Sequence, residues 1–220
     1  MEPKRVLVCG DVEGNLELLA KRSATFDLTL CIGELFTWRT NIPNLKADFA
    51  AQLKLPIFKS PVYFIETGPL ATTLCSLYPD GHEILPNLHF LGKFGIRKIQ
   101  GFSVGYLSGT HNSHKEQITN VQEDEILSAA GFYSEKDIFE LTNSLREDQS
   151  FKGIDFLMTG RWPLNFQKYQ TIDFNVNGLK LVSLLAHYLK PRYHFVSHED
   201  RYYQRQPYQN YFNVSHKLAH

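Results

Sequence analysis

Three carboxylate side chains stand directly after apolar runs of the sequence, and together they could hold a divalent cation. Asp11 and Glu13 follow the first such run, and Glu34 follows the second. A cation held in this way lowers the pKa of a bound water and clamps a phosphate group. His198, after a later run, is a further candidate ligand. The competing interpretation is that Asp11 and Glu13 cap a helix, where negative charge stabilises the first turn by about 0.3–1 kcal/mol.

Arginine and aromatic side chains form a second group that could bind a ligand. Arg161 and Trp162 follow another apolar run, and these residue types suit phosphate contact and base stacking. They also dominate the hot spots of protein interfaces, so a protein partner is preferred over RNA, and both over plain packing. The carboxy-terminal segment adds a Tyr/Arg cluster that consists of Tyr202, Tyr203, Arg205 and Tyr208. It has the same two interpretations, protein contact or RNA contact, and some of its tyrosines are expected to be buried.

Short apolar runs, separated by segments of helical length, must position these side chains. Such alternation predicts βαβ units with a mostly parallel sheet, that is, an α/β fold. A helix is expected after Ser134, which can cap a segment whose apolar residues share one face. A second helix is expected at residues 178–188, and residues 202–220 are expected to form a strand or an extended arm. Strands are expected at residues 5–9, 26–32, 62–65, 88–91, 154–159 and 191–196, with a hairpin at 97–107 that turns near Gly101.

The predicted sheet determines where the candidate side chains should lie. The carboxyl ends of parallel strands meet at one edge of a sheet, and ligands of open α/β folds bind there. Residues that follow different strands should therefore gather in one cleft, although they are far apart in the sequence. This prediction applies to Asp11, Glu34, Thr67, Arg161 and His198.

Composition restricts the class of protein. The 220 residues carry 23 basic and 23 acidic side chains, and this zero net charge argues against a large nonspecific nucleic-acid surface. No apolar run approaches the ~18 residues that span a bilayer, and the start of the chain predicts no signal peptide, so no membrane partner is expected. The three cysteines are widely spaced, which favours a reducing compartment.

The order of the strand-end motifs resembles that of the calcineurin-like metallophosphoesterases. In that family the first strand ends in G-D-x-H-G-N, whose aspartate and histidine hold metal ions; here residues 10–15 read Gly-Asp-Val-Glu-Gly-Asn. Glu34 and Thr37 stand where two aspartates are usual, and Thr67 and Gly68 stand in place of asparagine and histidine. Losing most imidazole ligands removes both affinity and geometry, so no catalytic two-metal centre is expected.

A closer resemblance is to the amino-terminal domain of the CwfJ, or Cwf19-like, family of spliceosome-associated proteins, which are similar in this domain to the lariat debranching enzyme. It runs from about residue 5 to residue 211, through motifs at residues 9–14, 91–95, 106–110, 159–163, 190–195 and 202–210. The resemblance implies a calcineurin-like sandwich with a degenerate metal site at Asp11, Glu13, Glu34 and His198. Family members usually continue into two CwfJ carboxy-terminal domains, so the expectation here is one domain at residues 1–220 without them.

The function that this resemblance implies is a non-catalytic scaffold or regulator in late spliceosome disassembly and intron-lariat turnover. It implies the lariat debranching enzyme and spliceosome components as partners, RNA as a further candidate, the nucleus as location, and no metal or cofactor. Two alternatives remain open. One is an active phosphoesterase or nuclease that uses a single ion held by Asp11, Glu13 and Glu34, and the other is an RNA-binding module that works through Arg161, Trp162 and the Tyr/Arg segment.

Overall fold

The computed structural model describes residues 3–37, 39–42, 44, 58–111, 132–146, 150–167, 174, 176–197 and 202–206. The first sheet has five strands in the order β1-β2-β3-β5-β4, and all neighbours are parallel except the β4–β5 pair. Its strands are β1 (Val6–Cys9), β2 (Leu28–Cys31), β3 (Val62–Phe64), β4 (His82–Leu85) and β5 (Leu88–Phe90).

The second sheet has four strands in the order β11-β10-β7-β6, in which β6 and β7 form an antiparallel hairpin and the other neighbours are parallel. A separate parallel pair joins β8 to β9. These strands are β6 (Phe94–Ile99), β7 (Phe102–Leu107), β8 (Thr110–His111), β9 (Phe132–Tyr133), β10 (Phe156–Thr159) and β11 (Tyr193–Val196).

The four helices of the described chain are α1 (Leu16–Ser23), α2 (Ala71–Leu77), α3 (Glu135–Arg146) and α4 (Lys180–Leu189). Ser134 caps α3 as expected: its hydroxyl lies 3.4 Å from the Asp137 N–H, and the Asp137 carboxylate accepts the Ser134 N–H at 2.7 Å. This reciprocal pair satisfies backbone donors that the first helical turn leaves open. No helix in these described ranges is long and apolar enough to cross a membrane.

The two sheets pack face to face, with helices on both outer faces. Alternate residues of β2, Leu28 and Leu30, are fully buried with Val104 and Met158 of the second sheet. On the outer face of the first sheet, α1 and α2 cover a separate apolar cluster, and α3 and α4 do the same for the second sheet. The protein is thus an α/β sandwich, which confirms the predicted fold class, although the parallel strands belong to two sheets.

A buried ion pair ties the connection between the sheets to α3. Lys93 Nζ lies 3.2 Å from Asp137 Oδ1, and the two side chains are only 11% and 7% exposed. The Lys93 backbone N–H donates to the Pro79 carbonyl, and its carbonyl accepts the Ser108 N–H. Lys93 therefore holds together three segments that are distant in the sequence.

The predicted elements agree with the observed ones within a few residues at each boundary. The hairpin turns at Gln100 and Gly101 as expected. Three features were not predicted from the sequence: α2, β4 and the β8–β9 pair. Residues 202–206 contain no helix or strand, and the rest of the predicted arm, at residues 207–220, lies outside the described residues.

Candidate functional site

The carboxyl ends of the first three strands lie against one another at one edge of the sandwich. The Asp11 Oδ1 atom accepts the Glu34 N–H at 2.7 Å, which joins the end of β1 to the end of β2. The Thr67 N–H donates to the Gly33 carbonyl at 3.2 Å, which joins the end of β3 to that of β2. The predicted convergence is therefore confirmed for Asp11, Glu34 and Thr67.

The ends of the second sheet close on the same edge. A methyl group added at Gly160, directly after β10, would lie 2.4 Å from Thr67 Cγ2. One added at Gly33 would lie 3.1 Å from Cβ of Ser197, which directly follows β11. The Arg161 backbone follows Gly160 at this edge, but its guanidinium donates to the Asn177 carbonyl, so convergence of the Arg161 side chain with the other residues stays a prediction. His198 lies outside the described residues, and its position stays a prediction.

Backbone hydrogen bonds fix the loops that follow β1 and β2. The Val12 and Glu13 N–H groups both donate to the Glu34 carbonyl, at 2.8 and 3.0 Å, and the Gly14 N–H donates to the Leu35 carbonyl at 2.8 Å. Glu13 adopts a left-handed φ of 49° and is exposed. Neither Asp11 nor Glu13 caps α1. The Asn15 side chain does so instead, by accepting the Leu18 N–H at 3.4 Å.

Glu66, two residues after the end of β3, is a buried carboxylate whose role was not predicted from the sequence. Its side chain accepts the Leu35 and Gly68 N–H groups, both at 3.0 Å, so it joins the loops that follow β2 and β3. Burial raises the pKa of Glu66 to about 7, although the hydrogen bonds from Gly68 and Leu35 oppose the rise. An acid at the end of an apolar run was the available sequence signal.

The described residues at this edge do not fit a metal centre. Within the part of the chain that the structure describes, no group of three or more His, Cys, Asp or Glu side chains is placed to hold an ion. Asp11, Glu13 and Glu34 are all described, so they do not assemble into the three-carboxylate site that one alternative required. The placement of these three carboxylates therefore does not support a metal-dependent reaction step.

Trp162 is the core of an aromatic cluster, which corrects its predicted exposure. The side chain is 5% exposed, and its ring centroid lies 4.6 Å from that of Phe166, 6.1 Å from Tyr203 and 6.3 Å from Phe174. These three rings, two of them from other segments of the chain, remove the indole from water, and this apolar burial stabilises the fold. A partner does not reach the indole in this conformation, and Trp162→Ala is expected to weaken folding before it weakens binding.

The described part of the Tyr/Arg segment divides into buried and exposed side chains. Tyr203 packs in the Trp162 cluster, and Arg205 is partly buried. Tyr202 is 89% exposed, which leaves its ring open to a partner. Tyr208 lies outside the described residues. Partner or RNA contact by these residues stays a prediction.

The Arg161 backbone is fixed by the buried Thr159 side chain, which in turn bonds the partly buried His194. The Thr159 hydroxyl donates to the Arg161 carbonyl at 2.9 Å and lies 2.8 Å from His194 Nε2. Because the Thr159 hydrogen is used, His194 Nε2 must be the donor in the second bond. Burial lowers the pKa of His194 to about 4, so the ring is neutral at physiological pH. The Arg161 guanidinium itself donates to the Asn177 carbonyl at 3.3 Å.

Fold and edge together define a class: an α/β sandwich domain in which strand-end carboxylates bind backbone N–H groups. No protein-family model matches the chain. Human "CWF19-like protein 1" is 34% identical over 233 residues, covering 100% of this chain and 40% of the relative. The Caenorhabditis elegans "CWF19-like protein 1 homolog" is 34% identical over 218 residues, which cover 94% of this chain and 37% of the relative. The Arabidopsis thaliana "Zinc finger CCCH domain-containing protein 64" is 28% identical over 229 residues, which cover 94% of this chain and 36% of the relative.

This chain belongs to the Cwf19-like family, since the similarity to these relatives extends over its full length. It spans about two-fifths of the length of the curated relatives that it matches, at 40% for the human protein.

Proposed function

We propose that this domain is a non-catalytic scaffold in the splicing machinery, which acts in the nucleus during late spliceosome disassembly. In this proposal it binds the lariat debranching enzyme and modulates intron-lariat turnover. Membership of the Cwf19-like family supports the splicing role. The resemblance of the strand-end motifs to a metallophosphoesterase suggests descent from an enzyme that bound a phosphodiester.

The observation that carries the proposal is how the strand-end carboxylates are used. Asp11 accepts the Glu34 N–H, and Glu66 accepts those of Leu35 and Gly68. Hydrogen bonds from backbone N–H groups to a carboxylate are among the stronger ones in proteins and hold a loop in a fixed geometry. Displacing them to bind an ion would open the loops. These acids therefore serve a rigid binding surface better than they serve a reaction.

Exposed side chains beside the Trp162 cluster offer a surface for the partner. Tyr202 is 89% exposed and adjoins Tyr203 of the cluster, and Leu164 is 44% exposed and lies two residues from Trp162. Arg161 is partly exposed at the strand-end edge. Tyr and Arg are residue types that are enriched in interface hot spots, and the exposed Leu164 adds apolar area beside the buried aromatic cluster. We name Arg161, Leu164 and Tyr202 the Tyr202 surface.

Calorimetry with purified debranching enzyme tests this proposal. Removal of a hot-spot side chain costs ~2 kcal/mol, so Tyr202→Ala is expected to weaken binding about thirtyfold. Leu77→Ala is the control, because it removes another exposed apolar side chain, at 45% exposure, from α2 and not from the Tyr202 surface. It should leave the affinity unchanged.

A short branched RNA in the same calorimeter distinguishes the other candidate functions. Binding of the RNA, but not of the enzyme, with loss on Tyr202→Ala would favour the RNA-binding module. Hydrolysis of the branched RNA in added Mn²⁺, abolished by Asp11→Ala, would overturn the scaffold proposal in favour of a phosphoesterase.

A further inference from the structure

Two thiols face each other across the ends of β1 and β2. Cys9 and Cys31 are direct register partners in this parallel pair, and their Sγ atoms lie 3.1 Å apart. Both side chains belong to the apolar cluster beneath α1 and α2. Cys31 is 2% exposed, but Cys9 is partly exposed because β1 is an edge strand.

This placement is close to that of a disulfide. A disulfide has its sulfur atoms about 2.05 Å apart and its Cα atoms about 4.4–6.8 Å apart. Neighbouring strands of a sheet are spaced by about 4.8 Å, which falls inside that range. Closing the bond therefore requires the sulfur atoms to approach by about 1 Å, a movement that side-chain rotation and a small backbone adjustment can supply.

We propose that Cys9 and Cys31 are a redox-active dithiol that forms a reversible intramolecular disulfide with a low-molecular-weight disulfide, such as oxidised glutathione, as the oxidant. The Cys9 thiolate attacks one sulfur of the oxidant and expels the first thiolate, which leaves a mixed disulfide on Cys9. The Cys31 thiol then loses its proton and attacks Cys9 Sγ, expelling the second thiolate. Two protein thiols are oxidised, and one small disulfide is reduced to two thiols.

The exposure of the two thiols sets this order of attack. Cys31 is 2% exposed, whereas Cys9 is partly exposed, so an oxidant in solution meets Cys9 first. Cys75 provides an internal contrast, since it is buried and burial raises its pKa to about 12.

The bond would lie immediately before the loops of the strand-end edge. The Cys9 carbonyl accepts the Ile32 N–H, and the Cys31 carbonyl accepts the Ile65 N–H. Gly10 and Asp11 follow Cys9, and Gly33 follows Ile32. A disulfide here would cross-link β1 to β2 at the base of these loops. Disulfides are rare in reducing compartments, and those that do form there are usually reversible ones of this kind.

Equilibration of the native 220-residue chain with glutathione buffers tests the proposal. Free thiols are alkylated at each ratio of reduced to oxidised glutathione, and peptides are mapped by mass spectrometry. We expect a Cys9–Cys31 cross-linked peptide that disappears on return to reduced glutathione, with Cys75 remaining a free thiol. In the reduced protein, Cys9 should be alkylated at least about tenfold faster than Cys75.

Two variants sharpen the result. Cys31→Ser should stop at the mixed disulfide, with glutathione attached to Cys9, and Cys75→Ser should behave as the parent does. Free Cys9 and Cys31 at every ratio up to fully oxidised glutathione would overturn the proposal, and this measurement needs no variant to fold. A disulfide that includes Cys75, or one between two chains, would overturn it as well.

Discussion

The buried carboxyl of Glu66 should make the free energy of unfolding fall as the pH rises from 4.5 to 7. Its pKa in the folded protein is about 7, compared with 4.5 for an ordinary glutamate. Between these values the unfolded chain has already released the proton, but the folded chain still binds it. Because the folded state binds more protons, stability decreases with pH in this window and is level again above it.

The size of the effect follows from the two pKa values. The interval between 4.5 and about 7, at about 1.4 kcal/mol for each unit of pH, corresponds to about 3 kcal/mol. Glu66 is fully buried, so solvent screening does not reduce this value much. Glu66→Gln removes the titration, since an amide does not ionise. The amide also places an N–H group near a backbone N–H, which adds a destabilisation that does not change with pH.

Urea denaturation at a series of pH values from 4.5 to 8 measures both curves. The difference in unfolding free energy between the parent and Glu66→Gln should change by about 3 kcal/mol across the window. Taking the difference cancels the contributions of all other titrating groups. Glu17→Gln, at an exposed position of α1, is the matched control and should parallel the parent. Parallel curves for the parent and Glu66→Gln would refute the reasoning.

Three further predictions concern stability and can be checked by urea denaturation. Lys93→Met removes the cation from the buried Asp137 carboxylate and should cost about 3–5 kcal/mol; no recovery on adding Asp137→Asn would argue against a coupled pair. Gly33→Ala places a methyl group 2.0 Å from Asp11 Oδ1 at a φ of +120°, and should cost about 1–3 kcal/mol. Trp162→Ala should cost about 3–5 kcal/mol, and a loss below 1 kcal/mol would contradict its assignment to the core.

The strands that are buried on both faces were the easiest to predict from the sequence. Residues 28–31 and 156–159 lie between a facing sheet and a helical layer, so their apolar runs are continuous and easily recognised. Ala71–Leu77 was missed because two threonines and a cysteine make its local helix preference weak, and its stability comes from packing. The spacing of the apolar runs predicted only a mostly parallel sheet, and the sandwich was implied by the family resemblance, because pairing between distant strands leaves no local periodicity.

The position of the site was more predictable than the roles of its residues. Convergence of Asp11, Glu34 and Thr67 followed from the common edge of parallel strands. The hydrogen bonds of Glu66 depend on backbone groups of another loop, which the sequence does not place. Partner contact was preferred over packing for Trp162 because two of the rings that cover it, Phe174 and Tyr203, come from distant parts of the chain.

The assignment of each sheet to one continuous half of the chain has a consequence for biosynthesis. The first sheet uses residues 6–90, and the second uses residues 94–196. On a ribosome, the amino-terminal half therefore emerges with all five of its strands before the second sheet has been translated. Until then, the face that contains Leu28, Leu30 and Ile32 has no covering layer. The nascent chain thus presents an apolar sheet surface that a chaperone must shield, or that will aggregate, until the β6–β7 hairpin arrives.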